Sequence, residues 1–205
     1  MTNNRPRPDG TQSPVSLRGE RVLLRPWRDA DRAPFAAINA DPRVMAHFPT
    51  ALPRPDSDAL ADRIEAHFAE HGFGPWALEI PGVTEFAGFV GLLRVSFNAH
   101  FTPAVEIGWR LAADLWGRGY AAEAAACALR HGFTALELPE IVSFTVPANH
   151  RSLAVMQRLG MHYDIREDFL HPRLPPEHPL RLHRLYRLGR EEWMERQAGE
   201  HCERP

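Results

Sequence analysis

Apolar residues recur along the chain with two different periods, and these periods predict a succession of strands and helices. The apolar segment 21–27 (RVLLRPW) predicts a strand, and a helix with Asp29 as its N-cap follows it. A second helix carries Leu60, Ile64 and Phe68 at intervals of four and ends at Gly72. The proline-rich stretch 41–57 between the two helices predicts a loop.

The second half of the chain alternates between apolar strands and amphipathic helices. Strands are predicted at 75–80, 86–97, 104–111, 141–146, 161–170 and 181–188. Helices are predicted at 120–136, at 149–160 and in the last residues. The order β-α-α-β-β-β-α-β-α-β-β has no internal repeat and no linker, so it indicates one mixed α/β domain at 16–196. The polar residues 1–15 predict a disordered arm, and 197–205 predict a flexible tail.

The composition is that of an ordinary globular protein and argues against several functions. The 205 residues carry a formal net charge of -2, so there is no basic surplus for binding nucleic acid. No apolar run approaches the roughly 20 residues of a membrane span, and the N-terminus lacks the apolar core of a signal peptide. We therefore expect a cytoplasmic protein without a membrane partner. Cys127 and Cys202 do not form a disulfide framework, and Cys127 is predicted to be a small buried residue.

The chain has eleven histidines, which raises the question of a metal site. The best pair, His67 and His71, stands four residues apart in a predicted helix, but no third ligand lies at a usable spacing. We therefore predict no metal and interpret the pair as part of a solvated helix face.

The segment 113–125 (ADLWGRGYAAEAA) joins a predicted strand to a predicted helix through Gly117 and Gly119. A helix N-terminus offers unpaired N–H groups and a partial positive charge, and glycines let a ligand come close to the backbone. The segment has neither the GK(S/T) of a Walker loop nor the G-x-G-x-x-G of a dinucleotide site. Taken alone, it favours a plain strand–turn–helix over a phosphate site.

A second strand–loop–helix unit follows at 141–161 (IVSFTVPANHRSLAVMQRLGM). Two such units side by side would bring two helix N-termini to one sheet edge, where a long cofactor could lie between them. Together with 105–125 (VEIGWRLAADLWGRGYAAEAA), this unit resembles the GNAT superfamily of acetyl-CoA-dependent N-acetyltransferases. It is similar in particular to the RimJ/RimL branch, which acetylates N-terminal amines of ribosomal proteins. The segments 17–31 (LRGERVLLRPWRDAD) and 185–193 (LYRLGREEW) also match that branch, so the resemblance spans Leu17 to Trp193.

The resemblance implies both a fold and a co-substrate. The fold is a single α/β (α+β) domain with a twisted, mixed but mostly antiparallel sheet of about seven strands, splayed central strands and flanking helices. The co-substrate is acetyl-CoA. The family's loop pattern Q/R-x-x-G-x-G/A falls on residues 116–121, with Trp116 in place of Gln or Arg. The predicted cofactor-binding residues are Trp109, Arg110, Leu111, Trp116, Gly117, Arg118, Gly119, Tyr120, Ala121, Ala122, Asn149, Arg151 and Ser152.

Two side chains are predicted to take part in the chemistry. Alternation along the strand 104–111 puts Glu106 on the same face as Gly108 and Arg110, where a carboxylate could take a proton from an amine through water. A charge facing solvent at a strand edge fits the pattern equally well, and the resemblance favours the base. The resemblance also implies that Ser152 donates to the leaving thiolate, because Met156 stands where many family members have a tyrosine acid.

Simpler interpretations and other functions remain open at this point. Asn149 also fits a plain N-cap, and Arg118 and Arg151 also fit solvated surface residues. The acceptor is expected to be an amine, either a protein N-terminus or a small molecule, in a pocket for which the candidate lining residues are Phe48, Trp76 and His171. A catalytically inactive acyl-CoA sensor and a nucleotide-binding α/β protein are the rival functions, and a homodimer is an open alternative.

Overall fold

The computed structural model describes the backbone of residues 15–202 and the side chains of residues 15–199. The arm predicted at 1–15 therefore lies outside the described residues, except for Val15. The sheet is built from β1 (Leu17–Arg18), β2 (Leu23–Arg25), β3 (Pro75–Ile80), β4 (Thr84–Arg94), β5 (Val105–Leu111), β6 (Glu140–Thr145), β7 (His162–Tyr163), β8 (Phe169–Leu170) and β9 (Leu182–Gly189). The helices are α1 (Arg32–Ala40), α2 (Pro42–Met45), α3 (Arg54–His71), α4 (Tyr120–Thr134), α5 (His150–Arg158) and α6 (Arg190–Cys202).

The strands form one open sheet in the order β1-β2-β3-β4-β5-β6-β9-β7, with β8 paired to β9. All of these pairs are antiparallel except β5 with β6, which is parallel. The predicted α/β fold with a mixed, mostly antiparallel sheet is thus confirmed. Only one parallel neighbour pair lies inside the sheet, and the site is built around it.

The described strands number nine rather than the predicted seven or so. The segment 161–170 divides into β7 and β8 because a 3-10 turn at Ile165–Glu167 interrupts it, and the Asp164 side chain accepts a hydrogen bond from the N–H of Arg166 in that turn. The two-residue strand β1 is too short for a hydrophobic pattern to indicate it.

The loop predicted at 41–57 from its prolines is partly wrong, because two helices begin within this segment. The helix α2 begins at Pro42, and α3 begins at Arg54 with Pro55 in its first turn. Proline is compatible with the first turn of a helix, because the N–H that it lacks has no partner there. At the other end of the chain, α6 continues to Cys202, so residues 197–202 of the predicted tail are helical.

Helices pack on the sheet through small and aromatic side chains. On α4, Ala124, Ala125 and Ala128 are fully buried, which lets the helix approach the sheet closely. Cys127 is also buried, as predicted. Phe35 of α1 contacts Trp27 and the ring of Phe86, with ring centroids 5.0 and 6.2 Å away. A smaller cluster packs the loop after β4 against β6 and β9 and contains Phe101, Val142, Phe169 and Leu185. Within the described part of the chain, no helix has the length and apolar character needed to cross a membrane.

Candidate active site

A cavity of about 1090 Å³ opens where β5 and β6 separate. The two strands are in register at Glu106 and Val142, and the hydroxyl of Ser143 donates a hydrogen bond of 2.9 Å to the carbonyl oxygen of Ile107. Beyond this point the walls of the cavity are formed by 108–111 on one side and 143–145 on the other. The central strands therefore diverge, as the family resemblance implied.

All of the predicted catalytic and cofactor-binding residues line this one cavity. From β5 come Glu106, Trp109, Arg110 and Leu111, and from the loop and first turn of α4 come Trp116, Gly117, Arg118, Gly119, Tyr120, Ala121 and Ala122. The start of α5 contributes Asn149, Arg151 and Ser152. Segments far apart in the sequence thus meet as predicted, although this meeting does not by itself assign a role to any of them.

The loop before α4 has the backbone of an anion site. Gly117 and Gly119 have φ angles of 74° and 84°, in the left-handed region that favours glycine. Gly119 is the N-cap of α4 and has no side chain that could cap the helix, so the N–H groups of the first turn are left for a ligand. In contrast, α5 is capped by Asn149, whose side chain accepts a hydrogen bond from the N–H of Ser152 at 3.3 Å. The N-cap interpretation of Asn149 is therefore correct, whatever else this side chain does.

Two contacts of the Trp116 side chain connect the walls of the cavity, one with Arg151 and one with Leu111. The guanidinium of Arg151 lies 4.8 Å from the centroid of the Trp116 ring, which connects the start of α5 with the loop before α4. The indole N–H of Trp116 donates to the carbonyl oxygen of Leu111 at 3.0 Å. Arg151 is therefore more than an isolated surface arginine, because it packs against the opposite wall.

Arg21, which was not among the predicted site residues, supports the loop before α4 from outside the cavity. Its backbone N–H and its guanidinium both donate to the carboxylate of Glu123, 102 positions away in the sequence. The guanidinium also donates to the carbonyl oxygen of Arg118 at 3.1 Å and lies 5.2 Å from the centroid of the Tyr120 ring. In the sequence, only Glu123 in the first turn of α4 indicated such a contact, and the sequence pattern did not indicate that Arg21 is its partner.

Ser152 and Trp109 form a second connection between β5 and α5. The indole N–H of Trp109 donates to the hydroxyl oxygen of Ser152 at 3.3 Å. Since the hydroxyl accepts this bond, its own proton is free to be donated to a group in the cavity. Met156, one turn further along α5, is buried and supplies no proton donor.

Glu106 is a half-buried carboxyl group on the wall of the cavity. Burial raises the pKa of Glu106 to about 8. A side chain at Gly108 would lie 3.8 Å from the Glu106 carboxylate, so this glycine leaves the space beside the acid open. The alternative of a solvent-facing charge at a sheet edge is wrong, because β5 lies between β4 and β6.

The cavity continues from Glu106 towards the loop after α2 and the loop after β8. Phe48 and His171 line this region, as predicted. Burial, together with the charges of His183 and Arg173, lowers the pKa of His171 to about 4, so the ring is neutral at physiological pH. Trp76 is not part of the pocket, because it is fully buried and its indole N–H donates to the carbonyl oxygen of Val15.

The His67 and His71 pair is not a solvated face either. Nδ1 of His67 lies 2.7 Å from the carbonyl oxygen of Phe73, and Nε2 accepts a hydrogen bond from the N–H of Arg94. This arrangement ties α3 to the strands. Among the residues that the structure describes, no group of three or more histidine, cysteine, aspartate or glutamate side chains could hold a metal ion.

Comparisons with known proteins agree with this geometry. The family described as acetyltransferase (GNAT) domain matches residues 21–162. A curated relative from Aspergillus fumigatus, FsC-acetyl coenzyme A-N(2)-transacetylase, is 28% identical over 189 residues, which are 89% of this chain and 79% of the relative.

Solved structures give the same result. An acetyltransferase from Agrobacterium tumefaciens is 30% identical, with a TM-score of 0.67 over 85% of this chain and 94% of its own. Mycobacterium smegmatis RimJ in complex with CoA-disulfide is 25% identical, with a TM-score of 0.71 over 91% of this chain and 95% of its own. With the family match over most of its length and a cavity that contains the predicted acetyl-transfer residues, the chain belongs to the GNAT family of acetyltransferases.

Proposed function

We propose that this acetyltransferase transfers an acetyl group from acetyl-CoA directly to a primary amine, without a covalent intermediate on the enzyme. Glu106 acts as the general base through a water molecule, and Ser152 donates a hydrogen bond to the departing thiolate. The observation that carries this proposal is the position of Glu106, a half-buried carboxyl group at the point where β5 and β6 diverge.

The residues of the cavity fit acetyl-CoA, which supplies an activated acetyl group when bound. The residues from Trp116 to Ala122 line the cavity at the uncapped start of α4, and the backbone N–H groups of this first helical turn suit a pyrophosphate. Arg118 and Arg151 add positive charge at the starts of the two helices. The pantetheine arm fits between β5 and β6, past Trp109 and Leu111, with Asn149 on the opposite side. The side chain of Arg110, which was predicted to bind the cofactor, extends instead towards Asn39 of α1.

The raised pKa of Glu106 suits proton transfer from an amine. A general base works best when its pKa lies near the working pH, and an amine with a pKa of about 8 to 10 is largely protonated at neutral pH. A carboxyl group with a pKa of about 8 is a stronger base than an ordinary glutamate once it is ionised. Gly108 lines the cavity next to this carboxyl group and has no side chain that would keep the amine away from it.

Ser152 has a smaller task, because a thiol with a pKa near 8.5 is already a fair leaving group. The bond from Trp109 fixes the hydroxyl oxygen, so the hydroxyl proton can point into the cavity. This arrangement supports a hydrogen-bond donor and does not require a full acid.

The acceptor is a protein N-terminal amine or a small-molecule amine. The similarity to Mycobacterium smegmatis RimJ supports the RimJ/RimL branch and a protein N-terminus. The Aspergillus fumigatus relative is named for acetyl transfer to FsC at N(2), and a small-molecule amine is the alternative acceptor.

A thiol-release assay over peptides with different N-termini and a library of small amines tests the proposed function. Mass spectrometry of the products should show one acetyl group on the amine and none on the enzyme. If peptides fail and small amines react, the assignment to the ribosomal-protein branch is wrong. If acetyl-CoA binds but no amine releases thiol, the protein is a sensor and the proposed function fails.

A further inference from the structure

Arg110 is a half-buried cation in the cavity that has no carboxylate partner among the described residues. One terminal nitrogen of its guanidinium donates to the side-chain oxygen of Asn39 at 2.6 Å. The guanidinium carbon lies over two aromatic rings, 4.2 Å from the centroid of Phe48 and 5.6 Å from the centroid of Phe89. Its Nε is completely buried and has no hydrogen-bond partner among the described residues.

The same protein neutralises an arginine that is fully buried. Arg25 is 3% exposed and makes two parallel hydrogen bonds of 2.8 Å to the carboxylate of Asp31, with a third to Glu79. These carboxylates raise the pKa of Arg25, whereas burial without a counter-ion lowers the pKa of Arg110 to about 10. Arg110 therefore stays positively charged at physiological pH but is not neutralised by the protein.

A charge partly withdrawn from water without a counter-ion is unfavourable, and the protein holds this one in a fixed position. Asn39 is fully buried and donates its own amide to the hydroxyl of Ser57 at 2.8 Å, which orients the oxygen that Arg110 uses. Glu106 is the one carboxylate among the described residues that line the cavity. It lies four residues earlier on β5, with the two Cα atoms roughly 13 Å apart. Burial alone, without an opposite charge, shifts the pKa of Arg110, so Glu106 does not act as its counter-ion.

We infer that Arg110 binds a carboxylate on the acceptor, so that the substrate is an amine that carries a negative group a few bonds away. This inference rests on the proposed function and names its substrate class. Gly108 and Arg110 stand on the same face of β5, about 7 Å apart. An amine beside Gly108 would leave the carboxylate of an amino acid, or of an acidic N-terminal residue, within reach of the guanidinium. A polycationic amine would meet the charge of Arg110 instead.

The test compares each acid with its neutral carboxamide, using wild-type enzyme and the Arg110→Gln variant. Thiol release is measured for free amino acids and their amides, and for peptides that begin with Asp or Glu against Asn or Gln. Because the amine of an amide is less basic, the quantity of interest is the acid-to-amide ratio of kcat/KM, compared between the two enzymes. We expect this ratio to fall by about 10- to 100-fold in Arg110→Gln, as for a lost hydrogen bond to a charged group. The free acids and the acidic peptides distinguish the two sources of the carboxylate.

Two controls separate binding from folding. The exposed Arg63 on α3 provides a matched loss of one charge outside the cavity, and Arg63→Gln should leave the ratio unchanged. Arg110→Gln should bind acetyl-CoA as the wild type does, measured by calorimetry, and should melt as a folded protein.

Binding of the N-acetylated acids and amides to the CoA-loaded enzyme gives a readout that does not need turnover. If no amine reacts but wild type alone prefers the acetylated acids, the inference stands and the proposed function fails. If the ratio and the binding preference are the same in Arg110→Gln, the inference is wrong while the proposed function is intact. A loss of acetyl-CoA affinity in the variant would assign Arg110 to the co-substrate and would also overturn the inference.

Discussion

The guanidinium of Arg151 lies over the ring of Trp116, 4.8 Å from its centroid, and so connects the start of α5 with the loop before α4 across the cavity. The pair stands at the proposed phosphate end of the site, whereas Glu106 and Arg110 stand at the acceptor end. The two ends can therefore be perturbed separately.

Replacement of Arg151 should affect acetyl-CoA binding more than chemistry. We expect Arg151→Gln to raise KM for acetyl-CoA by about 3- to 30-fold, from the lost cation–π contact and the lost positive charge, with little change in kcat. The KM of Arg151→Lys, which keeps the charge, should lie between those of the wild type and Arg151→Gln. Steady-state kinetics at two salt concentrations test this, and an unchanged KM in Arg151→Gln would contradict the assigned position.

The role of the glycine loop can be separated from backbone strain. Gly117 and Gly82 have φ angles of 74° and 78°, and at both positions an added side-chain carbon would meet no atom within 4 Å. Alanine at either position should therefore cost a similar 1–2 kcal/mol or so of stability. Gly117 lines the cavity and Gly82 lies in the turn between β3 and β4, so only Gly117→Ala should also weaken acetyl-CoA binding.

Denaturant unfolding and calorimetry on the two variants provide the comparison. Equal effects on acetyl-CoA affinity would mean that the loop does not hold the co-substrate through its backbone.

The carboxyl group of Glu106 should make the protein less stable as the pH rises. Its pKa is raised from 4.5 to about 8 in the folded state, so between these values the folded protein keeps a proton that the unfolded chain releases. Stability then falls with increasing pH across this interval. Glu106→Gln removes this titration, and its stability relative to wild type should grow from pH 5 to pH 9, by on the order of 1–3 kcal/mol. Urea unfolding of both proteins at several pH values measures this difference in stability. A difference that does not change with pH would show that Glu106 is not desolvated.

The buried ion pair of Arg25 should be much more sensitive than pairs on the surface. We expect Asp31→Asn to reduce the free energy of unfolding by about 3–5 kcal/mol, because Arg25 would lose its bidentate partner inside the protein. Asp62→Asn removes an exposed pair with Arg32, in which the Asp62 side chain is 67% exposed, and should cost at most about 1 kcal/mol. Comparable losses in the two variants would contradict this view of Arg25.

The sequence was most informative where one strand has two different faces. Alternation along β5 correctly grouped Glu106, Gly108 and Arg110, and matched segments brought the starts of α4 and α5 to the same cavity. It failed at Trp76, because β3 is buried on both faces and alternation there does not separate core from pocket.

Side-chain contacts between segments that are distant in the sequence could not be predicted from the hydrophobic pattern either. Asn39 meets Arg110 across 71 positions, and Arg21 meets Glu123 across 102, so neither partner is marked by local spacing. The acceptor end of the cavity consists largely of such contacts. For this reason the acetyltransferase activity could be predicted from the sequence, whereas the proposed carboxylate on the acceptor is inferred from the packing around Arg110.

Thiol release by wild type and Glu106→Gln, followed across pH, tests the central claim most directly. Wild-type kcat/KM should rise with pH through an inflection near 8, because Glu106 must lose its proton to act as a base. In Glu106→Gln we expect kcat/KM to fall by about 10²- to 10⁴-fold and the inflection that belongs to Glu106 to disappear, while the calorimetric affinity for acetyl-CoA is retained. A variant that keeps the wild-type rate and pH profile would show that Glu106 is not the base.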